Sequence, residues 1–223
     1  MKIVSNTAIS LDGRINTRER RFGFFGTARD HARMSRLRAE ADAVLVGGNT
    51  FRNWPHPALP DPADRGRLRG RPWNVIVSGT LDVPLTPEYL GEAAIRPLFL
   101  THAASLRPGF GAEAEGWTGE GSHLPISWVL EQIARRGVER LLVEAGGDLL
   151  FQFLAADALD EMHVTLCPLL VGGPAPSLVD GAGFDFADLR RLRLLSCEQE
   201  GDELFLHYGA ARGKVEPRPN DSA

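Results

Sequence analysis

Residues 141–150 read LLVEAGGDLL, a short apolar run that ends on Glu144, crosses Gly146 and Gly147, and enters a second apolar segment, Leu149 to Leu154. This is the pattern of a strand feeding a helix through two glycines. At such a junction the unpaired N–H groups of the helix start point outward with the positive end of its dipole, and glycine lets a bulky anion approach the backbone. A phosphate or pyrophosphate fits there, but these ten residues alone favour a plain strand-to-helix turn, because neither Gly-x-Gly-x-x-Gly nor a Walker lysine is present. The pattern occurs twice: Ala43 to Val46 is a short apolar run, followed by Gly47-Gly48-Asn49-Thr50.

The rest of the chain supplies further strands and helices in alternation. Lys2 to Ile9 reads as a strand broken by the turn-prone Ser10-Leu11-Asp12-Gly13. Ala28 to Ala41, with Thr27 as N-cap, reads as a helix burying Ala32, Met34, Leu37 and Ala41. Proline crowds residues 54–72 into a long loop, and Gly109 to Gly121 is glycine-rich and expected to be irregular. Asn74 to Val77 and Leu98 to Thr101 are short strands; Ile126 to Arg136 has the i, i+3, i+4, i+7 spacing of a helix stopped by Gly137. Met162 to Leu166 is a strand, and Pro168 to Gly183 a loop. Leu192 to Gln199 and Leu204 to Tyr208 form a terminal hairpin around Glu200-Gly201-Asp202. The expected fold is α/β, a central mostly parallel sheet with an antiparallel C-terminal hairpin, in one domain over residues 1–209 with a flexible tail over 210–223.

A net charge of −4 argues against a nucleic-acid surface, and no run approaches the length of a membrane span. Cys167 and Cys197 each sit in an apolar run and are expected as buried reduced thiols. The six histidines show no ligand spacing, so no metal site is expected. Without a signal peptide at the N-terminus, the chain is expected in the cytoplasm. In open α/β sheets ligands bind at the carboxyl ends of strands, so the two glycine junctions together are placed to hold one diphosphate.

Five ordered motifs carry a resemblance. Residues 5–14 (SNTAISLDGR), Leu37-Arg38-Ala39, residues 42–50 (DAVLVGGNT), Val143-Glu144-Ala145-Gly146-Gly147 and Leu159-Asp160-Glu161 resemble the reductase domain of riboflavin biosynthesis, a family sharing the dihydrofolate reductase-like three-layer fold. Residues 168–173 (PLLVGG) and Val179-Asp180-Gly181 are similar to its stand-alone archaeal-type members. The resemblance implies NADPH-dependent reduction of a ribosylamino-pyrimidine 5′-phosphate to a ribitylamino product, in a homodimer, with the hairpin as one surface available for pairing. It implies cofactor contacts at Ala8, Phe24, Gly48, Thr50, Ser78, Gly79, Gly146, Gly147, Asp148 and Leu149, and substrate contacts at Asn6, Phe22, Arg38, Leu59 and Glu144. Asp12 is the acid near the nicotinamide edge, either a proton donor or a turn aspartate bonding its own loop.

The sequence also departs from that family. Phe22 stands where many members have a serine that touches substrate. The arginine expected to hold substrate phosphate is missing from residues 53–62 (NWPHPALPDP) unless Arg65 or Arg67 replaces it. At the strand end Thr101-His102-Ala103-Ala104 no arginine or lysine is placed for a cofactor 2′-phosphate. A reductase of a pterin or another small carbonyl or imine, and a cofactor-binding protein without turnover, are the competing readings.

Overall fold

The computed structural model describes residues 1–20, 23, 25–106 and 113–210. Phe22, Phe24 and the expected tail beyond Ala210 lie outside the described residues. The strands are β1 (Lys2–Ile9), β2 (Ala43–Gly47), β3 (Trp73–Val77), β4 (Arg96–His102), β5 (Glu113–Trp117), β6 (Arg140–Val143), β7 (Glu161–Leu166), β8 (Leu192–Glu200) and β9 (Glu203–Ala210). The helices are α1 (Ala28–Glu40), α2 (Gly48–Asn53), α3 (Pro87–Gly91), α4 (Ile126–Ala134) and α5 (Gly147–Ala155). All nine strands join one sheet in the order β5-β4-β3-β2-β6-β1-β7-β9-β8. The pairs from β5 to β7 are parallel; β9 runs antiparallel to β7, and β8 antiparallel to β9.

Both faces of the parallel part are covered, which is why its strands are short continuous apolar runs. Leu45, Val75, Leu98, Val143 and Met162 pack with Val129 and Ile133 of α4 and Leu150 and Phe153 of α5. The alternate residues point the other way: Val44 and Leu142 meet Leu37 and Ala41 at the end of α1, while Val46, Ile76 and Phe99 meet Phe51 and Tyr89. Helices on both faces give the expected three layers.

Helix α1 begins where expected. The Thr27 hydroxyl accepts the Arg29 N–H at 3.3 Å, a cap contributing about 1 kcal/mol. Its buried face differs from the sequence expectation: Asp30, Ser35, Arg38 and Ala39 are buried, while Ala32, Met34 and Leu37 are only partly so. The helix lies over polar strand residues as well as apolar ones, so its inward positions are chosen for hydrogen bonding. Three other expectations change. Strand β5 falls within the stretch expected to be irregular, α3 was not signalled, and Cys197 is exposed on edge strand β8 while Cys167 is buried. Every residue of β8 after Leu192 is exposed, so neither face of this outer strand is covered and the apolar flanks of Cys197 do not enclose it.

Candidate active site

Arg38, Glu144 and Leu59, three positions expected to touch substrate, meet in one cluster. Arg38 projects from the buried face of α1 toward the C-terminal end of β6. Its Nε and Nη2 donate to the two Glu144 oxygens at 2.8 and 2.6 Å, and its Nη1 donates to the Leu59 carbonyl at 3.1 Å. The guanidinium lies 5.6 Å from the Trp54 ring centroid, close enough for cation–π attraction. Burial works against the Arg38 charge, but the Glu144 carboxylate outweighs it and holds the guanidinium pKa above its ordinary value. The pair is thus matched in charge and geometry, which a buried acid at a strand end requires.

Arg38 and Leu59 of this cluster line a cleft of about 280 Å³, whose other lining residues include His31, Met34, Trp54, Asp61, Arg65 and Glu92. The two arginines named as replacements for the missing one take different places. Arg67 pairs with Asp64 at 3.7 Å, whereas Arg65 lines the cleft and donates from Nε to the Pro60 carbonyl at 3.3 Å. Trp54, which the reading without turnover has filling the substrate pocket, lines the cleft, and so do His31 and Met34, for which the sequence carries no such expectation.

The expected cofactor residues gather at the ends of β2 and β3 and at the start of α5. Gly48 is pressed against Ser78: a Cβ on Gly48 would stand 2.6 Å from the Ser78 Oγ. Glycine here brings two strand ends together. The Gly79 carbonyl accepts hydroxyl bonds from Ser105 at 3.0 Å and Thr101 at 3.2 Å, which fixes the turn after β3. Thr50 borders a small cavity with Phe51, Trp54 and Ile76.

At α5 the two glycines have different reasons. A Cβ on Gly147 would lie 2.4 Å from the Ser177 carbonyl oxygen and 2.8 Å from the Asp180 nitrogen, so its side is filled by protein and not left to an anion. Gly146 has nothing within 4 Å of a Cβ position, and as N-cap it offers no side chain to the first-turn N–H groups. The opening expected of the pair belongs to Gly146. The exposed Asp148 carboxylate turns aside to Gln152 at 3.0 Å and His123 at 3.4 Å, and Leu149 is buried behind it. An open face beside uncapped helix N–H groups fits the diphosphate of a nicotinamide dinucleotide.

Ala8 lies at the end of β1, opposite Thr165. Beyond it, Asp12 accepts from the Ser10 hydroxyl at 2.6 Å and from the Val171 and Gly172 N–H groups at 3.1 and 2.7 Å. These bonds, the Ser10 hydroxyl first, lower its pKa to about 2. Asp12 therefore bonds its own loop and that of residues 171–172, and these bonds favour its ionised form.

Asn6 is buried, with its Oδ1 lacking a hydrogen-bond partner among the described residues. It stands opposite His163 of β7, which in turn stands opposite His207 of β9. Glu161, His163 and His207 lie close enough to suggest a metal centre. However, the two imidazoles are stacked with centroids 4.1 Å apart, and parallel rings cannot both aim an in-plane lone pair at one ion between them. Lys2 takes Glu161 at 2.8 Å, and Arg33 Nη2 reaches His163 Nδ1 at 2.8 Å. Burial, with the Arg33 charge beside it, pushes the His163 pKa down to about 3. These contacts account for the group as packing under α1.

Fold and site together define an α/β domain with a buried arginine–carboxylate pair beside a cleft and an uncapped glycine start to α5. The chain belongs to the RibD C-terminal domain family, whose model matches residues 1–206. It is 31% identical over 217 residues to the 2,5-diamino-6-ribosylamino-4(3H)-pyrimidinone 5′-phosphate reductase of Methanothermobacter thermautotrophicus, covering 92% of this chain and 96% of that protein. The Archaeoglobus fulgidus protein of the same name is 29% identical, with 88% and 92% covered. Among solved structures, Acinetobacter baumannii RibD superposes with TM-score 0.78 at 20% identity, covering 95% of this chain and 58% of that one. A pyrimidine reductase-like protein of Corynebacterium diphtheriae gives 0.77 at 19% identity, with 95% and 92% covered. The family makes this chain an oxidoreductase of riboflavin biosynthesis, and its reaction implies a nicotinamide cofactor. No helix among the described residues is long and apolar enough to cross a membrane.

Proposed function

We propose that this chain uses NADPH to reduce 2,5-diamino-6-ribosylamino-4(3H)-pyrimidinone 5′-phosphate, converting its ribosyl group to ribityl. The observation that carries this reading is that Arg38, bonded to Glu144 and to the Leu59 carbonyl, lines a cleft together with Leu59, Trp54 and Arg65. When bound, the dihydronicotinamide supplies hydride to the carbon of the C=N bond in the ring-opened sugar.

The residues position the reactants. Arg38 fixes both Glu144 oxygens, and the carboxylate keeps lone pairs free to accept from an amino or hydroxyl group of the substrate. The Trp54 ring offers an apolar face to the pyrimidine. Asn6 has an unpartnered buried oxygen on the same face of the sheet as α1 and accepts a substrate donor. Arg65 takes the 5′-phosphate. Gly146 and the α5 N–H groups hold the cofactor diphosphate, Ser78 and Gly79 meet the adenosine half, and Ala8 and Thr50 border the nicotinamide. Asp12 anchors the loop over residues 168–173 and transfers no proton. Residues 1–209 act as one reductase domain in the cytoplasm. The chain pairs as a homodimer through β8, where Leu194 and Leu195 are 51% and 41% exposed around a β-bulge.

Two measurements test this. NADPH binding is followed by quenching of tryptophan fluorescence, and turnover by loss of reduced-nicotinamide absorbance when the pyrimidinone phosphate is added. Binding without turnover on this substrate removes the assignment, and failure to bind NADPH removes the reductase reading altogether. Sedimentation of the wild type against Leu194→Glu tests the dimer; a wild-type monomer refutes it.

A further inference from the structure

The outer wall of the cleft, residues 57–65, has little regular structure of its own, yet buried side chains from elsewhere hold its backbone. Asn74, 2% exposed on β3, accepts the Ala58 N–H at 2.7 Å and donates to the Ala58 carbonyl at 3.4 Å. Arg38 holds the Leu59 carbonyl. The third tie is Ser35 of α1, also 2% exposed. Its hydroxyl accepts the Asp61 N–H at 2.9 Å and donates to Asp64 Oδ2 at 2.6 Å. Asp64 precedes the single 3₁₀ turn over Arg65–Arg67, and its own N–H donates to the Asp61 carbonyl at 2.9 Å. Ser35 thus bonds both ends of the segment that presents Arg65.

We propose that Ser35 is a positioning residue for Arg65, fixing the loop so that the guanidinium meets the phosphate end of the substrate. This rests on the reading that the cleft takes a phosphate ester. Positioning matters because Asp61 and Glu92 line the same cleft as Arg65. An arginine on a loose loop pairs with the nearer of these carboxylates, whereas one on a fixed turn stays directed into the cleft. A flexible cation next to two acids binds an incoming phosphate only after giving up such a pair, so rigidity of the turn sets the affinity. Ser35 touches neither Arg65 nor substrate, and its effect passes through the Asp61–Asp64 backbone.

The experiment compares KM and kcat for the pyrimidinone 5′-phosphate and for its dephosphorylated nucleoside, in the wild type and in Arg65→Ala, Ser35→Ala and Asp64→Asn. Arg65→Ala is expected to raise KM for the phosphate ester by about 10- to 100-fold, the effect of one charge-assisted contact, and to leave the nucleoside unaffected. Ser35→Ala is expected to raise the phosphate-ester KM by about 3- to 10-fold with kcat and NADPH affinity unchanged. Asp64→Asn weakens the same tie without emptying a buried site. It carries the test by itself if Ser35→Ala does not fold, with a smaller rise in the same ratio. If Arg65→Ala spares the discrimination between ester and nucleoside, the phosphate reading of the cleft fails. If Arg65→Ala abolishes that discrimination while the tie variants leave it intact, or raise both KM values equally, Ser35 is structural only and the proposal is overturned.

Discussion

Arg38 and Glu144 stand 106 residues apart in sequence and form a two-pronged ion pair, with side chains only 7% and 12% exposed. Removing one partner leaves the other charge buried and unanswered. Glu144→Gln is therefore expected to destabilise the protein by about 2–4 kcal/mol, read from the urea midpoint. Replacing both with apolar residues, as in Arg38→Met with Glu144→Leu, is expected to recover most of that stability and none of the turnover. Recovery of turnover in the double variant would show the pair to be scaffolding alone.

The Asp12 carboxylate, with its pKa lowered to about 2, is ionised across the whole working range of an enzyme. The sign follows from the depression: any contribution it makes to the folded state is present above the unfolded carboxylate pKa and fades only as pH falls toward about 2. Asp12→Asn should leave the shape of the neutral pH–rate profile unchanged while speeding amide exchange at Val171 and Gly172. A lost limb of the profile with exchange unaltered would restore Asp12 as the proton donor.

How far the sequence foretells this molecule differs from element to element. Thr27 announces α1 because capping is local, and the Gly47–Gly48 and Gly146–Gly147 junctions announce strand ends because backbone geometry is local too. The buried face of α1 was misread because periodicity counts apolar residues, whereas Asp30, Ser35 and Arg38 are inside by virtue of partners on β7, the cleft loop and β6. Helix α3 spans five residues, too few for periodicity to register, and β5 is hidden by the glycines flanking it. Resemblance identified Arg38, Leu59 and Glu144 separately. That they bond to one another, and that Gly146 rather than Gly147 has the open face, depends on loops distant in sequence.

Asp30 is 5% exposed, and burial, ahead of every other influence, raises its pKa. Its Oδ1 accepts the Thr165 hydroxyl at 2.6 Å. For an acid whose folded pKa is raised, stability is fully present below the unfolded pKa and is lost as pH rises through the folded one. Asp30→Asn keeps the acceptor and removes the charge, so it is expected to raise the melting temperature at pH 8 more than at pH 5. The gain at pH 8 should be about 1 kcal/mol, or roughly 2–4 °C in a domain of this size. Equal shifts at both pH values would show that Asp30 does not change its charge between them.

The two glycines before α5 should separate folding from binding. Gly147→Ala drives a methyl into the Ser177 carbonyl and the Asp180 nitrogen, both backbone atoms that cannot swing aside. It is expected to cost about 1–3 kcal/mol, as overpacking does, and to lower the melting temperature. Gly146 has φ −69°, a conformation alanine adopts without strain, and its methyl would enter open space. Gly146→Ala should therefore melt like the wild type, yet bind NADPH about tenfold more weakly, because the methyl occupies the approach of the diphosphate to the helix N–H groups. Calorimetry and fluorescence titration on the same two proteins decide the matter. If Gly146→Ala binds NADPH as tightly as the wild type, the diphosphate does not lie at α5, and the groove must instead run along the Gly48–Ser78 contact.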